Sequence, residues 1–118
     1  MLLELVNDLV LSLSIDAKEL LYINQAGESI YGLPLEELET APQLWLDMIH
    51  PNDQAVLKDL LSRIGDDSQF ELEFRVLRRD GTQRWLQGGF RLILDAQGEP
   101  CAIGAIAKDV TSRVNTER

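Results

Sequence analysis

The sequence has a single cysteine, Cys101, and a single histidine, His50, and these two scarcities remove most thiol and metal chemistry from its 118 residues. One cysteine can form no disulfide within the chain, and no Cys or His set has metal-ligand spacing. Nothing demands an oxidising compartment, so a cytoplasmic setting is expected. There is no Gly-x-Ser-x-Gly, no Gly-rich phosphate loop and no nucleophile placed beside a base, so a catalytic reading has no motif behind it. No apolar run is long enough to span a bilayer, and Met1 to Asp8 carries acids where a signal peptide would carry cations. That segment is expected to belong to the fold, as a short helix over 1–7. Positive charge is missing from one half only: residues 1–59 hold 2 Lys/Arg against 11 Asp/Glu, whereas residues 60–118 hold 9 of each, for a net charge of −9. Such a field repels phosphate backbones and anionic lipid, so neither nucleic acid nor a membrane surface is an expected partner.

The chain does hold 45% hydrophobic residues, enough for one core and hence one domain over 1–118. Phe70, Leu72, Phe74 and Val76 alternate with Glu71, Glu73 and Arg75, the period of a half-buried strand, and Asp80-Gly81 supplies a reversal into a second strand over about Thr82 to Leu94. Another hairpin opens the chain: Leu9 to Ile15 alternates in polarity, Asp16 to Glu19 turns, and Leu20 to Asn24 returns. Gly27, Gly32, Pro34 and Pro42 punctuate residues 25–50 too densely for one long helix but suit several short ones, with Pro42 opening a turn that places Leu44, Trp45, Met48 and Ile49 on one face. Pro51 suits the first position of a longer helix, with Asp53 in its first turn. Val56, Leu57, Leu60, Leu61 and Ile64 would line its inner side and Gly65 would end it. After a turn at Asp95 to Gly98, a last strand runs from Cys101 to Val110. The sum is an α+β domain with an antiparallel sheet covered on one face.

These residues resemble a PAS domain of the bacterial sensor type over nearly the whole chain. The likeness rests on Ile23-Asn24-Gln25-Ala26, Tyr31-Gly32 and Leu35-Glu36-Glu37-Leu38, on Trp45-Leu46 leading to His50-Pro51-Asn52-Asp53, and on Glu73-Phe74-Arg75 with Arg79-Asp80-Gly81 and Arg84-Trp85. The ending Asp109-Val110-Thr111-Ser112-Arg113 looks like the family's closing Asp-Ile-Thr-x-Arg. Thr40 departs from relatives that often have Gly before the Trp45 helix. The resemblance implies a five-stranded antiparallel sheet in the order 2-1-5-4-3 and a pocket between the longer helix and the inner face of the sheet. It also implies a sensory or interaction module within a larger signalling chain, such as a histidine kinase of a two-component system. Homodimerisation through flanking segments is expected with it, Leu2, Leu5 and Val6 joining an N-terminal dimer helix if the domain serves only as a spacer.

The pocket would be lined by Val56, Leu57, Leu60, Leu61, Phe74, Leu86, Ile103 and Ala105. Small residues at Gly88, Gly89, Gly104, Ala105 and Ala107 either leave room there for a small apolar ligand or let helices pack closer, and close packing is the default. No cofactor is expected. His50 is the one residue able to ligate haem, yet the residue before a proline is pushed out of the α region, so it caps the longer helix instead of projecting from its middle. Cys101 has no flavin-binding context and reads as a packing or edge residue. Glu71 and Glu73 share their side with Arg75, which marks a solvated face more than a catalytic pair. Thr111 suits the N-cap of a connector helix over 112–118, and Asp109, Thr111 and Arg113 are the candidates for relaying a signal into it, Asp109 by accepting hydrogen bonds or pairing with an Arg. The chain stops where an effector domain would begin. The rival readings are a small-ligand or haem-binding sensor and, from another class, a small α+β isomerase-like enzyme, which would need an ionisable group inside the pocket.

Overall fold

A computed structural model describes residues 8–41, 43–67 and 69–117. The expected helix over 1–7 with Leu2, Leu5 and Val6, the role of Pro42, and Arg118 lie outside them. Alternation builds the first hairpin: β1 (Leu9–Ser14) buries Leu9, Leu11 and Leu13, and β2 (Leu20–Ile23) buries Ile23. The turn between them puts Ala17 at φ 62° and is held by the Asp16 carboxylate, which accepts from Ser14 Oγ and the Lys18 N–H. Asn24 then locks the entry to β1, accepting the Val10 N–H at 3.0 Å and donating to the Asp8 carbonyl at 3.0 Å.

Three short helices follow, α1 (Ala26–Tyr31), α2 (Leu35–Thr40) and α3 (Leu44–Asp47). Gly32 ends α1 in the left-handed region at φ 70°, as glycine readily does. Pro51 occupies the first position of α4 (Pro51–Ser62), and His50 caps it by accepting the Asn52 N–H on Nδ1 at 3.1 Å. One boundary differs from the sequence reading. α4 stops at Ser62, where Arg63 leaves helical geometry, and Gly65 falls inside a separate single turn, α5 (Ile64–Asp67), that lets Ile64 enter the core at 5% exposure.

Strands β3 (Gln69–Leu77), β4 (Gln83–Leu94) and β5 (Pro100–Asp109) complete an antiparallel sheet in the order β2-β1-β5-β4-β3, and α6 (Thr111–Glu117) leaves it. Side chains alternate across every strand. Leu11, Ile23, Phe74, Leu86, Phe90, Ile103 and Ala105 face the helices, while Tyr22, Glu71, Glu73, Gln87, Arg91 and Ile106 stand on the open face. The outer edge of β3 is not bare: the His50 N–H donates to the Arg75 carbonyl at 2.8 Å, the Leu77 N–H donates to the Met48 carbonyl at 2.7 Å, and Ile49 bridges to Val76. The core between sheet and helices holds Trp45, Tyr31, Leu38 and Leu57 at 1% exposure or less.

Candidate functional site

Of the residues expected to line an inner pocket, Leu57, Leu61, Phe74, Leu86, Ile103 and Ala105 are buried in one apolar cluster and Leu60 is half-buried. Val56 is not among them. It is 47% exposed, because it precedes Leu57 by about 100° of helix rotation and so falls on the flank of α4. Small residues on the inner face are met by large ones. A Cβ at Gly88 would lie 2.8 Å from Phe74 Cε1 and 3.1 Å from Phe90 Cε1, so the absent side chain is the space those rings occupy. Phe90 in turn stacks on Phe70 with centroids 4.8 Å apart. Gly89, on the other face, meets nothing within 4 Å, and Gly104 gives way to Ile93.

One buried donor stands apart from this apolar packing. The Trp45 Nε1–H meets no acceptor among the described residues, and the Tyr31 hydroxyl donates to the Trp45 carbonyl instead. Burial pushes the Tyr31 phenol up, so it stays protonated.

The polar geometry concentrates where β5 passes into α6. Asp109 Oδ2 accepts from Arg84 Nε at 2.8 Å, and its Oδ1 accepts the Thr111 N–H at 2.9 Å and the Thr111 hydroxyl at 2.6 Å. Thr111 Oγ1 in turn accepts the Trp85 N–H at 2.8 Å, and the Val110 N–H donates to the Trp85 carbonyl at 2.8 Å. Partial burial works to raise the Asp109 carboxyl, but the hydrogen bonds from Arg84 and Thr111 outweigh it and hold it below the usual carboxylate range. The sequence alone suggests Thr111 as a helix cap before Ser112. In the structure Thr111 is the first helical residue, and its hydroxyl points back to the sheet because Asp109 and the Trp85 N–H claim it. Arg113 reaches the same strands, with Nη2 3.4 Å from Gln87 Oε1 and 3.9 Å from Glu73 Oε2.

A second polar lock, with no warning in local sequence, ties α4 to β3. Asp53 accepts the Arg75 N–H and its guanidinium together, and Arg75 also lies over the Trp85 ring at 5.2 Å. Glu71 and Glu73 are exposed, so Arg75 serves the helix and not its strand neighbours. Cys101 is exposed at the start of β5. No group of three or more His, Cys, Asp or Glu among the described residues is placed to hold a metal ion, and no helix among them is long and apolar enough to cross a membrane.

The open face of the sheet carries an apolar trough of about 690 Å³ over Val10, Tyr22, Gly89, Ile93 and Ile106. Tyr22, Ile93 and Ile106 are 54%, 40% and 59% exposed there.

Comparison with known proteins gives a consistent answer. The family profile described as the PAS fold matches residues 20–107. A domain of a Haloarcula marismortui histidine kinase, described as light and redox sensing, superposes with a TM-score of 0.77 at 32% identity, covering 93% of this chain and 95% of that one. A sensory box histidine kinase/response regulator from Burkholderia thailandensis E264 gives a TM-score of 0.74 at 25% identity, covering 98% of this chain and 86% of that one. The peroxide stress-activated histidine kinase mak3 of Schizosaccharomyces pombe is 42% identical over 45 residues, which make up 37% of this chain and 2% of the length of that kinase.

Proposed function

The chain belongs to the PAS-fold family, and from that premise we propose that it is a non-catalytic sensory and interaction module of a larger cytoplasmic signalling protein, relaying changes in its packing through β5 and α6 to a C-terminal effector. The observation that carries this reading is the Asp109 carboxylate. It joins Arg84 of β4 to the first residue of α6, so a shift of β4 against β5 reaches the outgoing helix through charge-assisted hydrogen bonds at 2.8 Å and 2.9 Å. A two-state change in the sheet would then bias the orientation of α6 without any contact between ligand and helix.

The test is a fusion of this chain, continued in helical register beyond α6, to the catalytic core of a histidine kinase. Asp109→Asn keeps the shape of the side chain but weakens its hold on Arg84 and Thr111. Autophosphorylation of the fusion should change several-fold while the domain remains folded by circular dichroism. Unchanged autophosphorylation, together with unchanged hydrogen exchange in α6, would reject the relay.

Pairing of two copies is a second part of the reading, supported by the apolar trough on the open face. Tyr22, Ile93 and Ile106 are exposed around it, an arrangement more typical of interaction surfaces than of free ones. Sedimentation of the parent chain and of Ile106→Glu decides the matter, since a dimer through this face should become a monomer in the variant.

A further inference from the structure

The acidic first half of the chain holds two cationic side chains, Lys18 and Lys58, and the fold brings both to one groove. They are far apart in sequence, Lys18 in the β1–β2 turn and Lys58 on the outer side of α4. The groove between those elements has a volume of about 480 Å³, within the range of small-molecule sites. Its walls are apolar, formed by Ile15, Leu46 and Leu61, and Gln43, whose amide donates to the Lys18 carbonyl, also lines it.

The charges are unevenly answered. Arg63, Arg75, Arg79, Arg84 and Arg113 each face a carboxylate, whereas neither Lys18 nor Lys58 has an ion-pair partner among the described residues. Asp16 also lines the groove and attracts Lys18, its Oδ1 accepting from Ser14 Oγ and the Lys18 N–H, whereas Asp59, beside Lys58 in sequence, is taken by Arg63. With Lys18 and Lys58 set against Asp16, the groove lining keeps one net positive charge over an apolar wall in a chain whose net charge is −9. A neutral apolar molecule would use the wall and leave the ammonium groups in water; an inorganic anion would use the ammonium groups and leave the wall wet. An amphiphile with one anionic end uses both.

We infer that this groove binds a small amphiphilic carboxylate, with its apolar tail against Ile15, Leu46 and Leu61 and its carboxylate held by Lys18 and Lys58. The long stems of both lysines allow their ammonium groups to reach over the apolar wall toward such an anion. The site is distinct from the close-packed core behind Phe74 and Phe90 and from the trough on the open face. It does not depend on the relay through Asp109, because binding is read at the groove itself.

The experiment titrates the isotopically labelled chain with sodium octanoate, below its micelle concentration, and follows backbone amide shifts by NMR. Saturable shifts are expected at residues 15–18, 43–46 and 58–62. The double variant Lys18→Gln/Lys58→Gln should bind about tenfold more weakly, as should 1-octanol on the parent chain, the loss that corresponds to about 1.4 kcal/mol. The octanol comparison tests the charge requirement without any substitution. Shifts confined to Val10, Tyr22, Ile93 and Ile106, equal affinity for octanol and octanoate, undiminished binding by the double variant, or no saturable shifts at all would each overturn the inference.

Discussion

Asp53 and Arg75 are joined three times over. Asp53 Oδ2 accepts the Arg75 N–H at 2.8 Å and Nε at 2.9 Å, while Oδ1 accepts Nη2 at 3.1 Å. The carboxylate thus sits at the start of α4, where the helix dipole favours an anion, and also satisfies a backbone donor on the outer edge of β3. Asp53→Ala should lower unfolding stability by about 2 kcal/mol, since hydrogen bonds to charged groups contribute about 1.5–3 kcal/mol and the Arg75 N–H loses its acceptor. Urea denaturation of parent and variant measures the difference, and a loss near zero would show that water replaces the carboxylate without cost.

Acid should weaken the fold through the same groups. Burial tends to raise the carboxyls of Asp53 and Asp109, but hydrogen bonds from Arg75, and from Arg84 and Thr111, lower both below the ordinary range. Their folded-state affinity for protons is therefore lower than that of the unfolded chain. Their stabilisation is fully present above the unfolded carboxylate value of about 3.9 and is lost as pH falls through the lower folded values. Denaturation midpoints measured from about pH 6 down to about pH 2 should fall steeply for the parent and less steeply for Asp53→Asn/Asp109→Asn.

Two adjacent glycines should respond differently to the same added methyl group. Gly88→Ala forces a Cβ against the rings of Phe74 and Phe90 and should cost about 1–3 kcal/mol, the range for overpacking a dense core. Gly89→Ala meets nothing within 4 Å and should be neutral or mildly stabilising. Equal effects would mean that the rings yield freely.

The inward face of α4 can be read by alanine. Leu57→Ala, at a fully buried position, should cost about 2–5 kcal/mol, whereas Val56→Ala, next to it but 47% exposed, should cost under about 1 kcal/mol. Thermal unfolding by circular dichroism separates the two.

The strands and the helix start were legible because their signals are local. The alternation through Phe70 and Val76, the Asp80-Gly81 reversal and the Pro51 start each depend on neighbours a few residues away, and periodicity reports such neighbours directly. Val56 was misplaced because a helical face has a blurred border, and only the position of the sheet decides which flanking residue it covers. The role of Thr111 was misread for a related reason: a hydroxyl beside a helix start suits a cap, and only the return of β4 alongside brings the Trp85 N–H close enough to compete for it. Asp53 was assigned to the helix dipole alone, since nothing in its vicinity announces a guanidinium 22 residues further on. The groove between Lys18 and Lys58 was invisible on the same grounds, being made by elements that meet only in the folded chain.

The seating of Met48, Ile49 and His50 against the end of β3 has a consequence for edge-to-edge association at high concentration. A bare strand border is a template on which other copies can polymerise edge to edge, and here the Arg75–Leu77 end of one border is already occupied by the chain's own backbone. The opposite border, β2, is only four residues long, so a growing fibril would find little to extend.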